Sequence, residues 1–176
     1  HPLRTDWTDW TDWTRVGSGG GGERMASDER ALELAVGHLG KRDRTAAEIR
    51  RHLAGKDVGE RAADAAVAEL ERMGYLDDAR YARTFAEDRR ALDAWGPERI
   101  ERRLLELGVD REHVAAAVGE RDGELELDAA LELLRRRCRA APSNERERER
   151  ALGMLVRKGY DLELAYDAVR AFERAV

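Results

Sequence analysis

A repeat of about 50 residues limits the folds open to this chain more than any other feature of its sequence. A shift of 51 residues takes Ile49 to Ile100 and then to Ala151. Four more sets of apolar residues keep this register: Leu53, Leu104 and Leu155; Val58, Val109 and Tyr160; Ala66, Ala117 and Ala168; and Val67, Val118 and Val169. Self-similarity at a fixed period is typical of repeat proteins, whose neighbouring units complete one another's cores. We therefore predict three copies of one small unit, stacked in series.

The repeating unit is predicted to be helical. Hydrophobic residues make up 42% of the chain and charged residues 39%, but aromatic residues only 6%. This balance is typical of amphipathic helices with charged outer faces. Thr45 stands three residues before Glu48, which is the spacing of a capping box at a helix start. We predict an all-α fold of three tandem three-helix repeats, stacked into an elongated, curved molecule, with units at residues 25–76, 77–123 and 124–176.

The third copy leaves this register in its first helix. A shift of 48 residues, instead of 51, takes Ala82 to Ala130 and Phe85 to Leu133. We therefore predict a three-residue insertion near residues 141–144.

The first 24 residues differ in composition from the rest of the chain. Thr-Asp-Trp occurs three times in a row over residues 5–13, and residues 17–22 are glycine-rich. A three-residue period fits neither an amphipathic helix nor a strand, so we predict a disordered leader or linker at residues 1–24, outside the fold. An aromatic docking motif is the alternative interpretation. Residues 20–24 are what an in-frame ribosome-binding site would encode, which suggests Met25 as the natural start.

The sequence carries no recognisable catalytic arrangement. Three histidines, at positions 38, 52 and 113, lie without metal-ligand partners at useful spacing, and Cys138 continues the apolar line of Leu131 and Leu134. The glycines at 17–22 lack the lysine of a phosphate-binding loop. We predict a non-enzymatic protein with no catalytic residues, metal, cofactor or small-molecule substrate. A single cysteine and the lack of a long apolar run predict a cytoplasmic protein that does not enter the membrane.

Local signals mark the joints between helices. Gly74 can end a helix in a left-handed conformation, and Asp77 can cap the next one. Leu76 and Tyr81 stand at the positions of a hydrophobic staple, and Pro97 follows Gly96 in the favoured first turn of a helix. The motif residues that we assign to structural junctions are Gly74, Tyr75, Leu76, Asp77, Asp78, Tyr81, Gly96, Pro97, Gly159 and Tyr160.

These same joints resemble those of a known family. The segments GYLDDARYA (74–82), GPERIERRLLELGV (96–109) and RKGYDLELAYDAV (157–169) are similar to the corresponding segments of RecX regulatory proteins, in the same order and spacing. The resemblance runs from about residue 29 to the C-terminus. It implies a stack of three-helix units that sits in the groove of RecA-type recombinase filaments. There it would curb ATP hydrolysis, strand exchange and co-protease action in DNA repair and the SOS response, without a cofactor.

Clusters of basic residues are the candidate binding sites. They are Arg99, Arg102, Arg103, Arg135, Arg136, Arg137, Arg139, Arg157 and Lys158, and a further pair stands at 50–51. Such residues are either solvated helix faces or a surface for filament acids or DNA phosphates. By contrast, residues 144–150 alternate in charge, and we expect pairs such as Glu145–Arg148 and Glu147–Arg150 to satisfy each other.

Two functions from different classes remain open. The first is regulation of a protein filament, with the RecA recombinase as partner. The second is a helical-repeat protein that acts directly on DNA. The net charge of −5 favours the first and predicts only weak, salt-sensitive DNA binding. We expect a monomer.

Overall fold

The computed structural model describes residues 21–175, and within them the secondary structure is entirely helical. This confirms the all-α prediction. The helices are α1 (Gly21–Leu39), α2 (Ala46–Gly55), α3 (Glu60–Arg72), α4 (Asp78–Asp93), α5 (Pro97–Glu106), α6 (Arg111–Val118), α7 (Gly123–Arg137), α8 (Glu145–Lys158) and α9 (Leu162–Arg174).

The helices form three consecutive three-helix units, as predicted. In each unit the first helix packs against the third, and the second also contacts the third. Each unit has its own buried apolar cluster, centred on Ile49 and Leu53 in the first, Ile100 and Leu104 in the second, and Leu155 with its neighbours in the third. These residues keep the 51-residue register, so the repeat in the sequence corresponds to the repeating core.

The predicted helix boundaries agree with the observed caps. The Glu48 amide donates to the Thr45 hydroxyl at 3.2 Å, and the Thr45 amide donates to the Glu48 carboxylate at 2.9 Å, which completes the capping box. Asp77 accepts from the Arg80 amide at 2.9 Å. Leu76 packs in the core of the first unit and Tyr81 against that of the second, so the two residues of the predicted staple serve different cores.

The third unit is longer in the loop before α8 and at the start of α8. The loop spans residues 138–144, against 94–96 between α4 and α5. By the 51-residue register α8 would start at Arg148, but it starts at Glu145 and has 14 residues, against 10 in α5. Arg148 pairs with Glu145 at 2.8 Å, as predicted, and also with Glu173 at 2.8 Å. The predicted Glu147–Arg150 pair is not formed, because the Glu147 carboxylate accepts from the Ser143 amide at 2.8 Å instead.

The start of α1 precedes Met25. Residues 22–24, which we placed outside the fold, belong to the first turns of this helix and are exposed. The Thr-Asp-Trp repeats lie outside the described residues.

Candidate binding surface and the junctions that build it

The second helices of neighbouring units meet end to end. The end of α5 lies against the start of α2, where the Thr45 hydroxyl donates to the Leu107 carbonyl oxygen at 2.6 Å. Thr45 is fully buried. The side chain of Asp78, at the start of α4, accepts from the Ala46 amide at 2.9 Å and so holds the same end of α2. The first two units are therefore joined at the N-terminus of α2.

The second junction repeats the first. The end of α8 lies against the start of α5, where the Gly96 amide donates to the Lys158 carbonyl oxygen at 2.7 Å. A shift of 51 residues takes the donor position 45 to 96 and the acceptor position 107 to 158. In the order α8, α5, α2, the C-terminal end of each helix therefore meets the N-terminal end of the next. We call this series the helix column.

Glycines make the close approach within the helix column possible. A Cβ on Gly96 would lie 2.5 Å from the carbonyl carbon of Gly159, and a Cβ on Gly108 would collide with that of Ala47. Gly108 and Gly159 also have positive φ angles, of 82° and 99°. The Tyr160 hydroxyl donates to the Ala94 carbonyl oxygen at 3.2 Å beside this contact. Gly96, Gly108 and Gly159 are thus required by the packing of one unit on the next.

Two of the predicted binding cations lie in the second junction. The Arg99 guanidinium stacks on Trp95, 4.1 Å from the ring centroid, and donates to the Arg157 carbonyl oxygen at 3.1 Å. The Lys158 ammonium donates to the Asp93 carbonyl oxygen at 2.7 Å. Both side chains therefore already have partners inside the chain.

The remaining predicted cations are on the surface. Arg103 pairs with Glu106 at 3.1 Å, and Arg136 lies 3.9 Å from Glu132. Five others are exposed and have no carboxylate of the described residues within ion-pair distance: Arg102, Arg135, Arg137, Arg139 and Arg157. Three of these five, Arg135, Arg137 and Arg139, stand at or just beyond the end of α7. We call these three the α7 arginines.

Comparison with known proteins identifies the family. Three family descriptions match in order: "RecX, first three-helix domain" at residues 31–70, the second at 77–118 and the third at 124–169. The chain belongs to the RecX family. A "Regulatory protein RecX" of Stenotrophomonas maltophilia is 32% identical over 142 residues, which are 80% of this chain and 86% of the relative. A protein of the same name from Thermus thermophilus is 35% identical over 140 residues, with 80% and 90% covered.

Solved RecX structures share the fold. RecX from Lactobacillus salivarius superposes with a TM-score of 0.72 at 17% identity, covering 86% of this chain and 99% of that one. A second regulatory protein RecX gives a TM-score of 0.69 at 21% identity, with 88% and 80% covered.

Two histidines and the cysteine of this RecX-family chain have packing contacts within the chain. The rings of His38 and His52 stack 3.8 Å apart, and Cys138 packs against the third core. His113 lines an open cleft of about 440 Å³ at the first junction, beside Asp78. Burial raises the pKa of Asp78, although its bond from Ala46 opposes this. Residues 21–175 contain no group of side chains suited to a metal ion, and none of their helices is long and apolar enough to span a membrane.

The sequence did not reveal the junction contacts themselves. The spacing of Thr45 and Glu48 predicts only a helix cap and gives no sign of the bond from Thr45 to Leu107. The repeat does contain a signal for these contacts, because a shift of 51 residues takes position 45 to Gly96 and position 107 to Lys158. In each pair of neighbouring units, the residue just before the second helix of one unit meets the residue at the end of the second helix of the next unit.

Proposed function

We propose that this chain is a non-enzymatic cytoplasmic regulator that binds RecA-type recombinase filaments. It would lower their ATP hydrolysis, strand exchange and co-protease action in DNA repair and the SOS response. Membership of the RecX family and the name of the relatives, regulatory protein, support a regulatory role. The resemblance of the three joint motifs supports the recombinase as partner.

The α7 arginines are the observation that carries this proposal. A guanidinium without an acid of its own can form a charge-assisted bond with a partner's carboxylate at a smaller cost than one that must first leave an ion pair. Each exposed pair contributes only about 0.2–1 kcal/mol. Several cations must therefore act together to give useful affinity, and clustering at the end of one helix allows this.

The test is charge reversal of two α7 arginines. Arg135→Glu with Arg137→Glu should raise the concentration that half-inhibits RecA-driven ATP hydrolysis at least tenfold, or about 1.4 kcal/mol. Arg136 is left unchanged because it faces Glu132. Glutamate is unfavourable in the last turn of a helix, so the double glutamine variant, expected to weaken inhibition less, separates binding from folding.

A matched control makes the same charge reversal at two arginines that already have partners. Arg72 pairs with Glu69 and Arg170 with Asp167, each within its own helix. Arg72→Glu with Arg170→Glu should leave inhibition within about twofold, apart from any change in melting temperature. Equal inhibition by the parent and by the Arg135 and Arg137 variant would refute the assignment of this surface.

Direct action on DNA is the second candidate. Of the observations above, only the α7 arginines favour it. We expect binding to bare single strands to be weak and to fall further between roughly 50 and 200 mM salt, since phosphate contacts release counterions. Tight binding to bare DNA that persists at the higher salt concentration would reverse the ranking of the two functions.

A further inference from the structure

The helix column carries a cation in the same register of each unit. Arg51 on α2 and Arg102 on α5 are separated by one 51-residue repeat. Both are exposed, and neither has a carboxylate of the described residues within ion-pair distance. Neighbouring arginines on these helices do pair, Arg50 with Asp64 and Arg103 with Glu106. An unpaired cation thus recurs at one register position.

In the third unit a different residue of the helix supplies the cation at this position. Its residue in the register is Gly153, which has no side chain. The guanidinium of Arg157, one helical turn later, lies over that glycine, 2.9 Å from where a Cβ would stand. A charge therefore occupies the third position, and it does so because Gly153 leaves room for it.

The spacing of these charges follows from the two junctions. Both junctions join the same donor and acceptor positions. With a rise of about 1.5 Å per residue and helix ends in contact, neighbouring register positions are separated by roughly 20 Å of path along the helix axes. The row is regular and sparse.

A sparse row fits a protein lattice better than a nucleic acid. A strand of duplex DNA presents a phosphate about every 3.4 Å of helix axis, so cations about 20 Å apart would leave most phosphates without a partner. Exposed acids on the same helices, such as Glu98 and Glu101, would also repel a continuous polyanion. A filament of identical subunits, by contrast, presents the same carboxylate once per subunit.

We propose that Arg51, Arg102 and Arg157 form one row of cations, one per unit, that pairs with carboxylates repeated on successive subunits of a protein filament. This rests on the proposed function and specifies how the filament is recognised. The row lies on the helix column and does not include the α7 arginines.

The experiment measures binding to RecA filaments assembled on single-stranded DNA. Arg51→Glu, Arg102→Glu and Arg157→Glu should each raise Kd by a similar factor, roughly three- to tenfold, because each cation meets an equivalent acid. The triple variant should raise Kd by about the product of the three. Higher salt should narrow the difference between the parent and the triple variant.

Two further variants sharpen the test. Arg83→Glu makes the same charge reversal on α4, which is not part of the helix column; Arg83 is exposed and has no described acid partner. It should change Kd less than twofold. Gly153→Ala changes no charge, but its Cβ would displace the Arg157 guanidinium, so it should weaken binding while leaving the fold intact.

The outcomes separate the two proposals. If the parent chain does not bind the filament at all, both are wrong. If the parent binds and the triple variant binds equally well, or if Arg83→Glu is as harmful as the row variants, only the row is wrong. Equal weakening of bare-DNA binding by the same three substitutions would identify phosphates, not carboxylates, as the partner of the row.

Discussion

The Thr45 hydroxyl serves two helices, because its oxygen accepts from the Glu48 amide at 3.2 Å while its proton goes to the Leu107 carbonyl oxygen at 2.6 Å. It caps α2 and joins the first unit to the second. This side chain is fully buried.

Thr45→Val should therefore lower the free energy of unfolding by about 3 kcal/mol. The change removes a helix cap, which contributes about 0.5–2 kcal/mol, and leaves a buried carbonyl unsatisfied, at about 1–3 kcal/mol. Urea unfolding measures the loss. Thr45→Ser keeps the hydroxyl and should lose about 1 kcal/mol. A valine variant as stable as the serine variant would show that the bond to Leu107 contributes nothing.

Alanine substitutions should distinguish a glycine that lies in a junction from a glycine that has open space around it. Gly96→Ala places a Cβ against the Gly159 backbone, which cannot move without opening the second junction, so we expect a loss above about 3 kcal/mol. Gly37 lies within α1 with nothing within 4 Å, and Gly37→Ala should stabilise the chain by up to about 1 kcal/mol. Thermal unfolding of both variants checks this, and a mild effect at Gly96 would mean that the junction is loose.

The stacked histidines should make the first unit sensitive to acid. Burial, then His52 and Arg44, lower the pKa of His38 from its ordinary value of 6.5. The folded state thus binds fewer protons than the unfolded state in the window just below pH 6.5, and stability rises with pH there. We expect the melting temperature to fall between pH 7.5 and pH 5.5, and to fall less in His38→Asn. An equal fall in both proteins would exclude His38 as the cause.

A chain that begins at Met25 should unfold within about 1 kcal/mol of the full chain and inhibit equally well. Residues 22–27 are exposed, and the first fully buried side chain of α1 is Ala31. Asp28, which pairs with Arg61 at 2.7 Å, is retained. The comparison of melting temperature and of inhibited ATP hydrolysis tests the prediction that the head is dispensable. A larger loss of either would assign the head a role.

The sequence predicts most of this fold because its repeat, caps and apolar register are local or periodic. It does not distinguish Arg99 from Arg102, since both are arginines on the polar side of one helix. Only the fold shows that Arg99 donates to a carbonyl 58 residues away while Arg102 has no such partner. The register shift likewise counts the residues inserted near 141–144, but it does not show that α8 also starts earlier, at Glu145.

Asp57 occupies the register position of Gly108 and Gly159, with a φ of 60° and a side chain. In the other two units that position touches the preceding unit, where a Cβ collides. The first unit can therefore begin such an array but cannot stand inside one. A longer relative made by duplication would have to copy the second unit, whose two ends both carry the glycines that neighbours require. The first unit would then occur only once, at the start of the array.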